Sequence, residues 1–256
     1  AEAQYSGGTG DPNDPYQIAT AEDLMLLGET PEDYDKHFIL TADIDLDPNL
    51  PGRKVFDKAV IGFDWKIPFT GFFDGNGHTI SNLTIVGESY LGLFMRLDDE
   101  AMVSNLGLEA VNINSTGNYI GGLAGYNTTQ AAVVLCYSTG VVKGNFAVGG
   151  LVGINAARCS ITASYSTITV DANECVGGLV GNSTGSIAAS YSSGTITGNT
   201  SVGGLVGIHS HGGINASYST ATVSGTSNVG GLVGLKTNGI TVTSFWDVET
   251  SGQTTS

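Results

Sequence analysis

Apolar and polar positions along this chain repeat with a period of 26 to 28 residues. The string GGL-x-G occurs five times, starting at Gly121, Gly149, Gly177, Gly203 and Gly230. A second landmark, an aromatic residue preceded by Ser or Cys, keeps the same phase at Tyr137, Tyr165, Tyr191, Tyr218 and Phe245. Five residues beyond each Tyr stands a β-branched residue: Val142, Val170, Ile196 or Val223. Two landmarks that keep one period indicate a repeat architecture rather than chance similarity.

Each repeat has the length and composition of one coil of a parallel β-solenoid. The segments alternate apolar with polar positions, are rich in Val, Thr and Ser, and end at Gly, Asn or Ser. Three short strands with their turns fill about 27 residues, whereas a propeller blade needs more. The pattern therefore predicts an all-β fold, a right-handed parallel β-helix with three strands per coil. Stacked coils would turn the leucines of GGL-x-G and the β-branched residues into two buried ladders.

The N-terminal part departs from the repeat and is predicted to be a cap. Thr20 and Asp23 form a capping-box pattern ahead of AEDLMLLGE, a short amphipathic helix that Gly28 can end. Segments with irregular spacing follow, and we expect about eight coils in all. The sequence is therefore divided, within one continuous domain, into a cap with irregular first coils (1–90) and regular coils (91–256).

Composition and charge argue against two classes of protein, nucleic-acid-binding proteins and proteins with a membrane-spanning helix. The chain has 38 Gly, only 13% charged residues and a formal net charge of −15. Residues 1–110 carry 20 acidic against 6 basic residues, and residues 111–256 carry 4 against 3. An acidic field without a basic patch argues against nucleic-acid binding. No apolar run is long enough for a membrane-spanning helix.

The three cysteines are interpreted as small buried thiols. Cys136, Cys159 and Cys175 match no zinc-binding spacing and cannot all pair within the chain. A disulfide between Cys159 and Cys175 is the alternative, because the pairing of cysteines does not follow from sequence.

The repeated GGLVG followed by (C/S)YS resembles the GLUG-motif repeat of bacterial and archaeal secreted and surface proteins. The segment FTGFFDGNGHTISNLTI looks like the coil that commonly precedes such repeats, and is similar to pectin-lyase-like right-handed β-helices. The resemblance covers about residues 14–250 and implies an extracellular or cell-surface location. It implies no single activity, because such repeats occur in proteins of diverse function. In similar proteins SFWD-x-x-x-SG closes the array and further sequence follows, so this chain is expected to be one piece of a longer protein.

Catalysis on the regular coils is not supported by their residue content. Enzymes that resemble this predicted β-helix fold commonly cleave polysaccharides. They use either a Lys or Arg base or a pair of carboxylates. The sequence from 111 to 256 has seven charged residues: Lys143, Arg158, Asp171, Glu174, Lys236, Asp247 and Glu249. Lys143 and Asp171 each stand six residues beyond a Tyr, so we expect an ion pair between adjacent coils rather than a catalytic pair. No catalytic residue is assigned, and a protein that is not an enzyme is favoured.

The acidic first part offers one candidate cation site. Asp43, Asp45 and Asp47 alternate with Ile44 and Leu46, so their carboxylates would share the outward face of a strand and could hold calcium. The alternative is a solvated face with turn-forming aspartates. No other cofactor is expected.

Two histidines lie two residues apart in the segment GIHSHGG. The spacing of His209 and His211 puts both imidazoles on one face of a strand. A zinc or copper site needs at least one further ligand, and none is identifiable nearby. Two exposed histidines in a loop are therefore expected.

The tyrosines form the candidate binding surface. Tyr137, Tyr165, Tyr191 and Tyr218 either stack inside the coils as core aromatics or face outward as a track for sugar rings or a partner protein. Alternation alone leaves both directions open, because a bulge beside YSTG would reverse the parity. Threonines two and four positions further on form T-x-T columns similar to those of ice-binding solenoids, but a Lys and an Asp interrupt such a lattice.

These observations favour a non-catalytic extracellular or cell-surface module that serves adhesion, interaction or spacing within a larger secreted protein. The alternative is a carbohydrate-binding or polysaccharide-processing β-helix of the lyase or hydrolase type. An ice-binding solenoid is a minor alternative. The expected partners are a polysaccharide or a surface protein, and not a nucleic acid.

Overall fold

A computed structural model describes residues 5–62 and 64–256 as a parallel β-solenoid. Positions paired between neighbouring regular coils are 26 to 28 residues apart, as the repeat predicts. The strands form four stacked parallel sheets, named A to D in the order in which a regular coil visits them. The predicted parallel β-solenoid is therefore confirmed.

The strands and helices have the following bounds. Sheet A contains Tyr16–Ile18, His37–Leu40, Phe72–Asp74, Met102–Ser104, Ala132–Val134, Ser160–Thr162, Ser186–Ala188, Gly213–Asn215 and Ile240–Val242. Sheet B contains Ile44–Asp45, Thr79–Ser81, Thr84–Gly87, Gly107–Ser115, Tyr137–Lys143, Tyr165–Asp171, Tyr191–Thr197, Tyr218–Ser219, Thr222–Ser224 and Phe245–Trp246. Sheet C contains Asn118–Ile120, Phe146–Gly149, Glu174–Gly177, Thr200–Gly203 and Ser227–Gly230. Sheet D contains Phe94–Leu97, Ala124–Asn127, Val152–Asn155, Val180–Ser183, Val206–His209 and Val233–Lys236. The helices are α1 (Ala21–Glu29), a 3₁₀ turn (Pro31–Asp33) and α2 (Val248–Ser251). In the part of the chain that the structure describes, no helix has the length and apolar character needed to span a membrane.

Each regular coil holds four strands, where the sequence predicted three. The fourth strand arises because a sharp bend at Gly150 and Leu151, and at the equivalent positions of the other coils, separates Phe146–Gly149 from Val152–Asn155. A Cβ on Gly150 would lie 2.2 Å from both the Gly178 carbonyl oxygen and the Ser166 hydroxyl oxygen. The second glycine of GGL therefore marks a corner that leaves no room for a Cβ, rather than the middle of a strand.

The first coils lack two of the four sides. Within the described ranges, all strands before residue 91 belong to sheets A and B, and sheet D contains six strands. The solenoid therefore has about six complete turns rather than the eight predicted, because the first segments pair with sheets C and D only through isolated bridges such as Ile61 with Phe94. The division into a cap (1–90) and regular coils (91–256) stays a prediction.

The N-terminal helix begins as its sequence predicts. The Thr20 hydroxyl accepts the Asp23 amide at 3.1 Å, and the Asp23 carboxylate accepts the Thr20 amide at 3.0 Å, which is a complete capping box. Gly28 does not end the helix, which continues to Glu29. A Cβ on Gly28 would lie 2.1 Å from the Val60 carbonyl oxygen, so this glycine permits a close backbone approach.

Both predicted apolar ladders are present in the core. The β-branched ladder and the leucine ladder are buried along the regular coils. The amide of each leucine but the last donates to the carbonyl of the leucine in the next coil, at 2.8 to 3.0 Å. The leucine ladder consists of Leu123, Leu151, Leu179, Leu205 and Leu232. Each coil therefore buries the apolar faces of its neighbours.

A ladder of serine hydroxyls closes the corner between sheets A and B. Its members are the first serines of the SYS and SFW segments: Ser164, Ser190, Ser217 and Ser244. Ser190 is typical, because its hydroxyl donates to the Ala188 carbonyl at 2.8 Å and accepts the Ser164 amide at 3.2 Å. The residue before each serine has a left-handed backbone, as at Ala189 with φ 49°. The hydroxyl thus supplies the acceptor that the corner amide needs in the buried interior.

The second serine of each SYS segment contacts the GGL bend across the interior. Ser138 Oγ donates to the Gly150 carbonyl at 2.8 Å, and Ser192 Oγ donates to the Gly204 carbonyl at 2.6 Å. The two walls of the coil approach so closely here that only a serine on one side and a glycine on the other fit. This contact explains why the two sequence landmarks keep one phase.

We expect Ser190→Ala to lower the free energy of unfolding by about 1–3 kcal/mol, because the buried Ser164 amide loses its acceptor. Urea denaturation followed by circular dichroism measures the change. Ser186→Ala is the matched control: Ser186 lies on the exposed face of the same coil, so its effect should stay within about 0.5 kcal/mol. Equal effects of the two substitutions would refute the structural role of the hydroxyl ladder.

Candidate functional site

The outer face of sheet B carries the predicted tyrosines, which point outward. We call Tyr137, Tyr165, Tyr191, Tyr218 and Phe245 the aromatic column. In the strand Tyr191–Thr197, Ser192 and Ile196 are buried in the coil, whereas Tyr191 is half-buried on the outside. The interpretation of these residues as core aromatics is wrong. The left-handed residue at the preceding corner sets the alternation so that Ser, and not Tyr, faces the interior.

The rings of the aromatic column stack along the solenoid axis. Centroids of neighbouring Tyr rings are 4.7 to 5.0 Å apart, and their planes are parallel within 5°. Since carbon atoms in contact stay about 3.5 Å apart or more, the ring normals cannot tilt from the stacking direction by more than roughly 45°. The column therefore presents ring edges and phenol oxygens to solvent, and not the flat ring faces of a sugar-stacking track.

The tyrosine at the N-terminal end of the column interacts with a carboxylate. The Tyr137 hydroxyl donates to Glu109 Oε1 at 2.8 Å. Partial burial of the phenol and its hydrogen bond to Glu109 raise the pKa of Tyr137 to about 12. This phenol therefore remains a neutral hydrogen-bond donor at physiological pH.

Two columns of hydroxyl groups run beside the aromatic column in the predicted register. The first consists of Thr139, Thr167, Ser193 and Thr220, and the second of Thr169, Thr195 and Thr222, with Val141 at its start. Within the first column, Ser193 Oγ donates to Thr167 Oγ1 at 3.1 Å. The outer face of sheet B is therefore a regular wall of phenol edges, hydroxyls and methyl groups.

The predicted neighbourhood of Lys143 and Asp171 is confirmed. Lys143 Nζ lies 4.0 Å from the Asp171 carboxylate, and about half of each side chain is exposed. An exposed ion pair of this length contributes little to stability. Its charges interrupt the hydroxyl columns on one side. The sequence already indicated that a Lys and an Asp at these positions would interrupt a uniform threonine lattice.

A ladder of asparagine side chains runs along the corner between sheets B and C. The Nδ2 group of each Asn donates to Oδ1 of the Asn one coil before it, at 2.5 to 3.3 Å. Its members are Asn118, Asn145, Asn173 and Asn199. Beside it lies a shallow polar depression of about 380 Å³, lined in part by Asn173, Asn199 and Asp171. This ladder was not predicted from the sequence, although its spacing follows the repeat.

A second polar ladder lies inside the solenoid at the ends of the sheet D strands. Asn127 Nδ2 donates to Asn155 Oδ1 at 2.9 Å, and Asn155 Nδ2 donates to Ser183 Oγ at 3.3 Å. The next residue in register is His209, which is fully buried and has no hydrogen-bond partner at either ring nitrogen. The expectation of two exposed histidines is wrong for His209, because its strand directs it into the interior. His211 is exposed.

The three predicted calcium ligands are bound to donors of the chain itself. Asp43 Oδ1 accepts the Thr79 amide at 2.9 Å and contacts His78 Nδ1 at 3.1 Å. Asp45 Oδ1 accepts Asn82 Nδ2 at 2.8 Å. These hydrogen bonds lower the pKa of both carboxyl groups. Across residues 5–62 and 64–256, no three His, Cys, Asp or Glu side chains converge as a metal site requires, so the geometry gives the calcium prediction no support.

The three cysteines are buried free thiols, as interpreted from the sequence. Cys159 and Cys175 are therefore not joined in a disulfide in this structure. Burial raises the pKa of Cys136 and of Cys175 to about 12. A thiol with so little thiolate at neutral pH is a poor nucleophile.

Known proteins share this repeat and this fold. Residues 144–171 and 172–197 match the GLUG motif. Over 149 residues the chain is 35% identical to halomucin of Haloquadratum walsbyi (strain DSM 16790 / HBSQ001), which covers 56% of this chain and 2% of halomucin. A crystal structure of a putative immunoglobulin A1 protease from Bacteroides ovatus superposes with a TM-score of 0.73 and 21% identity, over 95% of this chain and 78% of the other. At that identity the second likeness shows the fold alone.

The buried His209 makes stability depend on pH. Burial lowers the pKa of His209 below its ordinary value near 6.5. As the pH falls through that ordinary value, the unfolded chain takes up a proton that the folded chain does not, so the free energy of unfolding decreases. The loss continues until the pH reaches the lower pKa of the folded state.

We expect His209→Asn to remove this part of the acid sensitivity, because Asn is the residue that the same ladder carries at positions 127 and 155. Urea denaturation between about pH 7.5 and about pH 5 should show a smaller loss of stability for this variant than for the parent chain. His211→Asn is the exposed control and should keep the parent profile. Identical profiles for the parent and His209→Asn would contradict the assignment.

Proposed function

We propose that this GLUG-repeat β-helix protein is a non-catalytic extracellular or cell-surface module that mediates adhesion or interaction as one part of a larger secreted protein. The main support for this proposal is the outer face of sheet B. It is an exposed wall on which the phenol edges of the aromatic column and two hydroxyl columns repeat once per coil. The 2% share of halomucin that the matched region represents supports a module within a much longer chain.

The wall is suited to an extended partner that lies along the solenoid axis. Each coil presents the same groups about 4.8 Å beyond those of the previous coil. Stacking already fixes the Tyr rings, so a partner that contacts them causes little further loss of side-chain entropy. Weak contacts made by each coil then add up along the wall.

The charged groups near the regular part of this wall are few and engaged in local contacts. Lys143 and Asp171 form an exposed pair with a 4.0 Å separation. Farther toward the N-terminus, Asp43 is engaged by the Thr79 amide and by His78. General acid–base cleavage needs a donor and an acceptor on either side of one substrate bond. The strands of sheet B from Tyr137 onward contain two charged residues, Lys143 and Asp171, and this scarcity of acid and base groups supports a binding role for the wall.

Carbohydrate binding is the second candidate, and the polar groups of the same region favour it. Hydroxyls of Thr167 and Ser193 and the amides of Asn173 and Asn199 flank the aromatic column and the depression beside it. These groups can donate to and accept from the hydroxyls of a sugar chain. The edge-on rings would contact such a chain with their C–H groups and phenol oxygens.

We expect the double substitution Tyr191→Ser and Tyr218→Ser to weaken binding at least tenfold, about 1.4 kcal/mol, because it removes two neighbouring rings from the wall. Binding is measured on a panel of immobilised neutral and acidic polysaccharides and on intact cells that display surface proteins. Ile208→Ser, on the outer side of sheet D, is the control and should bind as the parent chain does.

The outcome separates the two candidates. Tyr-dependent binding to purified polysaccharide supports carbohydrate binding, and Tyr-dependent binding to cells alone supports a protein partner. Release of reducing ends or unsaturated uronates from any polysaccharide would overturn the non-catalytic assignment. Binding that the Tyr substitutions leave unchanged would remove the wall as the contact surface.

A further inference from the structure

A narrow groove lies on the outer face of sheet A, a different sheet from that of the aromatic column. It crosses the strands His37–Leu40, Phe72–Asp74 and Met102–Ser104, each of which has a paired strand on both sides. We call it the sheet A groove, and its main lining residues are Pro12, Pro15, His37, Ile39, Phe72 and Asp74. Its volume is about 270 Å³. Since pockets for small molecules occupy roughly 300–1,000 Å³, this groove is better suited to one or two side chains of a larger partner.

One wall of the sheet A groove is an apolar column. His37 is in register with Phe72, and Phe72 with Met102. The imidazole of His37 stacks on the Phe72 ring, with centroids 4.6 Å apart and planes parallel within 3°. Alternate residues of a strand face opposite sides, so these side chains point outward, whereas Phe38 and Phe73 are buried in the core.

The apolar part of this column is confined to the irregular coils. Farther along the same register, the column passes from Met102 through Ala132 to Ser160 and Ser186. Phe72, by contrast, leaves 43% of its surface exposed. A contiguous group of apolar side chains beside a groove is typical of a contact surface.

The opposite wall of the sheet A groove carries a carboxylate with an available oxygen. Asp74 is in register with Ile39, and its Oδ1 accepts the Asn76 amide at 2.8 Å and Asn105 Nδ2 at 2.9 Å. Both bonds go to one oxygen, and among the described residues none donates to Asp74 Oδ2. The side chain is therefore held in place while Oδ2 can accept a donor from another molecule.

The charges around the sheet A groove favour a basic partner. The loop that forms its rim also bears Asp11 and Asp14, both of which are exposed. The nearby cation Lys36 is paired with Asp35 at 3.0 Å. Residues 1–110 carry 20 acidic against 6 basic residues, so their field attracts cations. Shape and charge together select an apolar side chain that has a basic neighbour.

We propose that the sheet A groove binds a segment of a partner protein in which an aromatic or aliphatic side chain lies close to an arginine or lysine. The apolar side chain enters between the His37–Phe72 stack and the two prolines of the rim, where it is removed from water. The basic group donates to Asp74 Oδ2 and fixes the orientation of the segment. This site is separate from the aromatic column and does not depend on the function proposed for that surface.

A peptide array tests the proposal on the full chain. Each peptide carries one tryptophan or leucine and one arginine, at separations of up to four residues, in a Gly/Ser background. Matched peptides replace the arginine by glutamate or the apolar residue by alanine. Fluorescence anisotropy is expected to show that the best arginine peptide binds at least tenfold more tightly than either matched peptide.

Substitutions in the groove identify the contact surface. Phe72→Ser removes part of the apolar wall and Asp74→Asn removes the charge, so each should weaken binding of the best peptide at least tenfold. Asn at position 74 keeps a carbonyl oxygen for the two local hydrogen bonds, which preserves the fold. Val86→Ser and Asp171→Asn are the matched controls on sheet B, where Val86 is 54% exposed and Asp171 about half exposed. Both controls should bind as the parent chain does.

Three results would overturn the proposal. The first is a parent chain that binds no arginine peptide more tightly than its glutamate counterpart. The second is unchanged binding by both groove variants, because general attraction to the acidic residues would then account for it. The third is loss of peptide binding in the double variant Tyr191→Ser and Tyr218→Ser, which would place the contact on sheet B. Peptide binding that survives in this double variant supports the groove, whatever the aromatic column binds.

Discussion

The hydrogen-bonded register between successive coils governs the structure of this protein. Every residue of a regular coil lies about 4.8 Å from its counterpart in the next coil, so each position must be compatible with a copy of itself. Two like charges at that distance repel by about 1 kcal/mol even in water. This constraint explains why residues 111–256 contain few charged groups, and why Lys143 is followed in register by Asp171. The irregular first coils do not repeat their positions, and residues 1–110, which include them, carry a balance of −14.

The same register decides how polar groups are buried. A polar side chain inside the solenoid can be satisfied by its own kind one coil away, as in the Asn127–Asn155 hydrogen bond at 2.9 Å and the Ser138–Ser166 hydrogen bond at 3.2 Å. The Asn127–Asn155 ladder still continues from Asn155 to Ser183, but it ends at the next position. His209 follows Ser183 in register and finds no partner for its ring nitrogens. The change to histidine at this one position therefore lowers the stability of the solenoid in acid.

Repetition also shapes the surfaces that other molecules can meet. The side wall of sheet B offers the same phenol edge and hydroxyls in coil after coil, which suits a long partner better than a small substrate. The coil at 237–246 breaks the pattern with Ile240 and Val242 at an unpaired edge. The regular wall and this irregular coil therefore present chemically different surfaces.

The sequence by itself determined the properties that depend on period. It predicted the stacked coils, the buried leucine ladder and the contact between Lys143 and Asp171, because each follows from counting residues along one repeat. It also predicted the capping box of α1, which depends on the local spacing of Thr20 and Asp23. Only the tertiary structure decided the properties that depend on direction. Left-handed corner residues such as Ala163 and Ala189 reset the alternation, and alanine gives no sign of that conformation in the sequence. For that reason the outward direction of the tyrosines could not be read from alternation. The division of each coil into four strands and the burial of His209 likewise depend on how closely opposite walls of the coil approach, a distance that no spacing along the chain records.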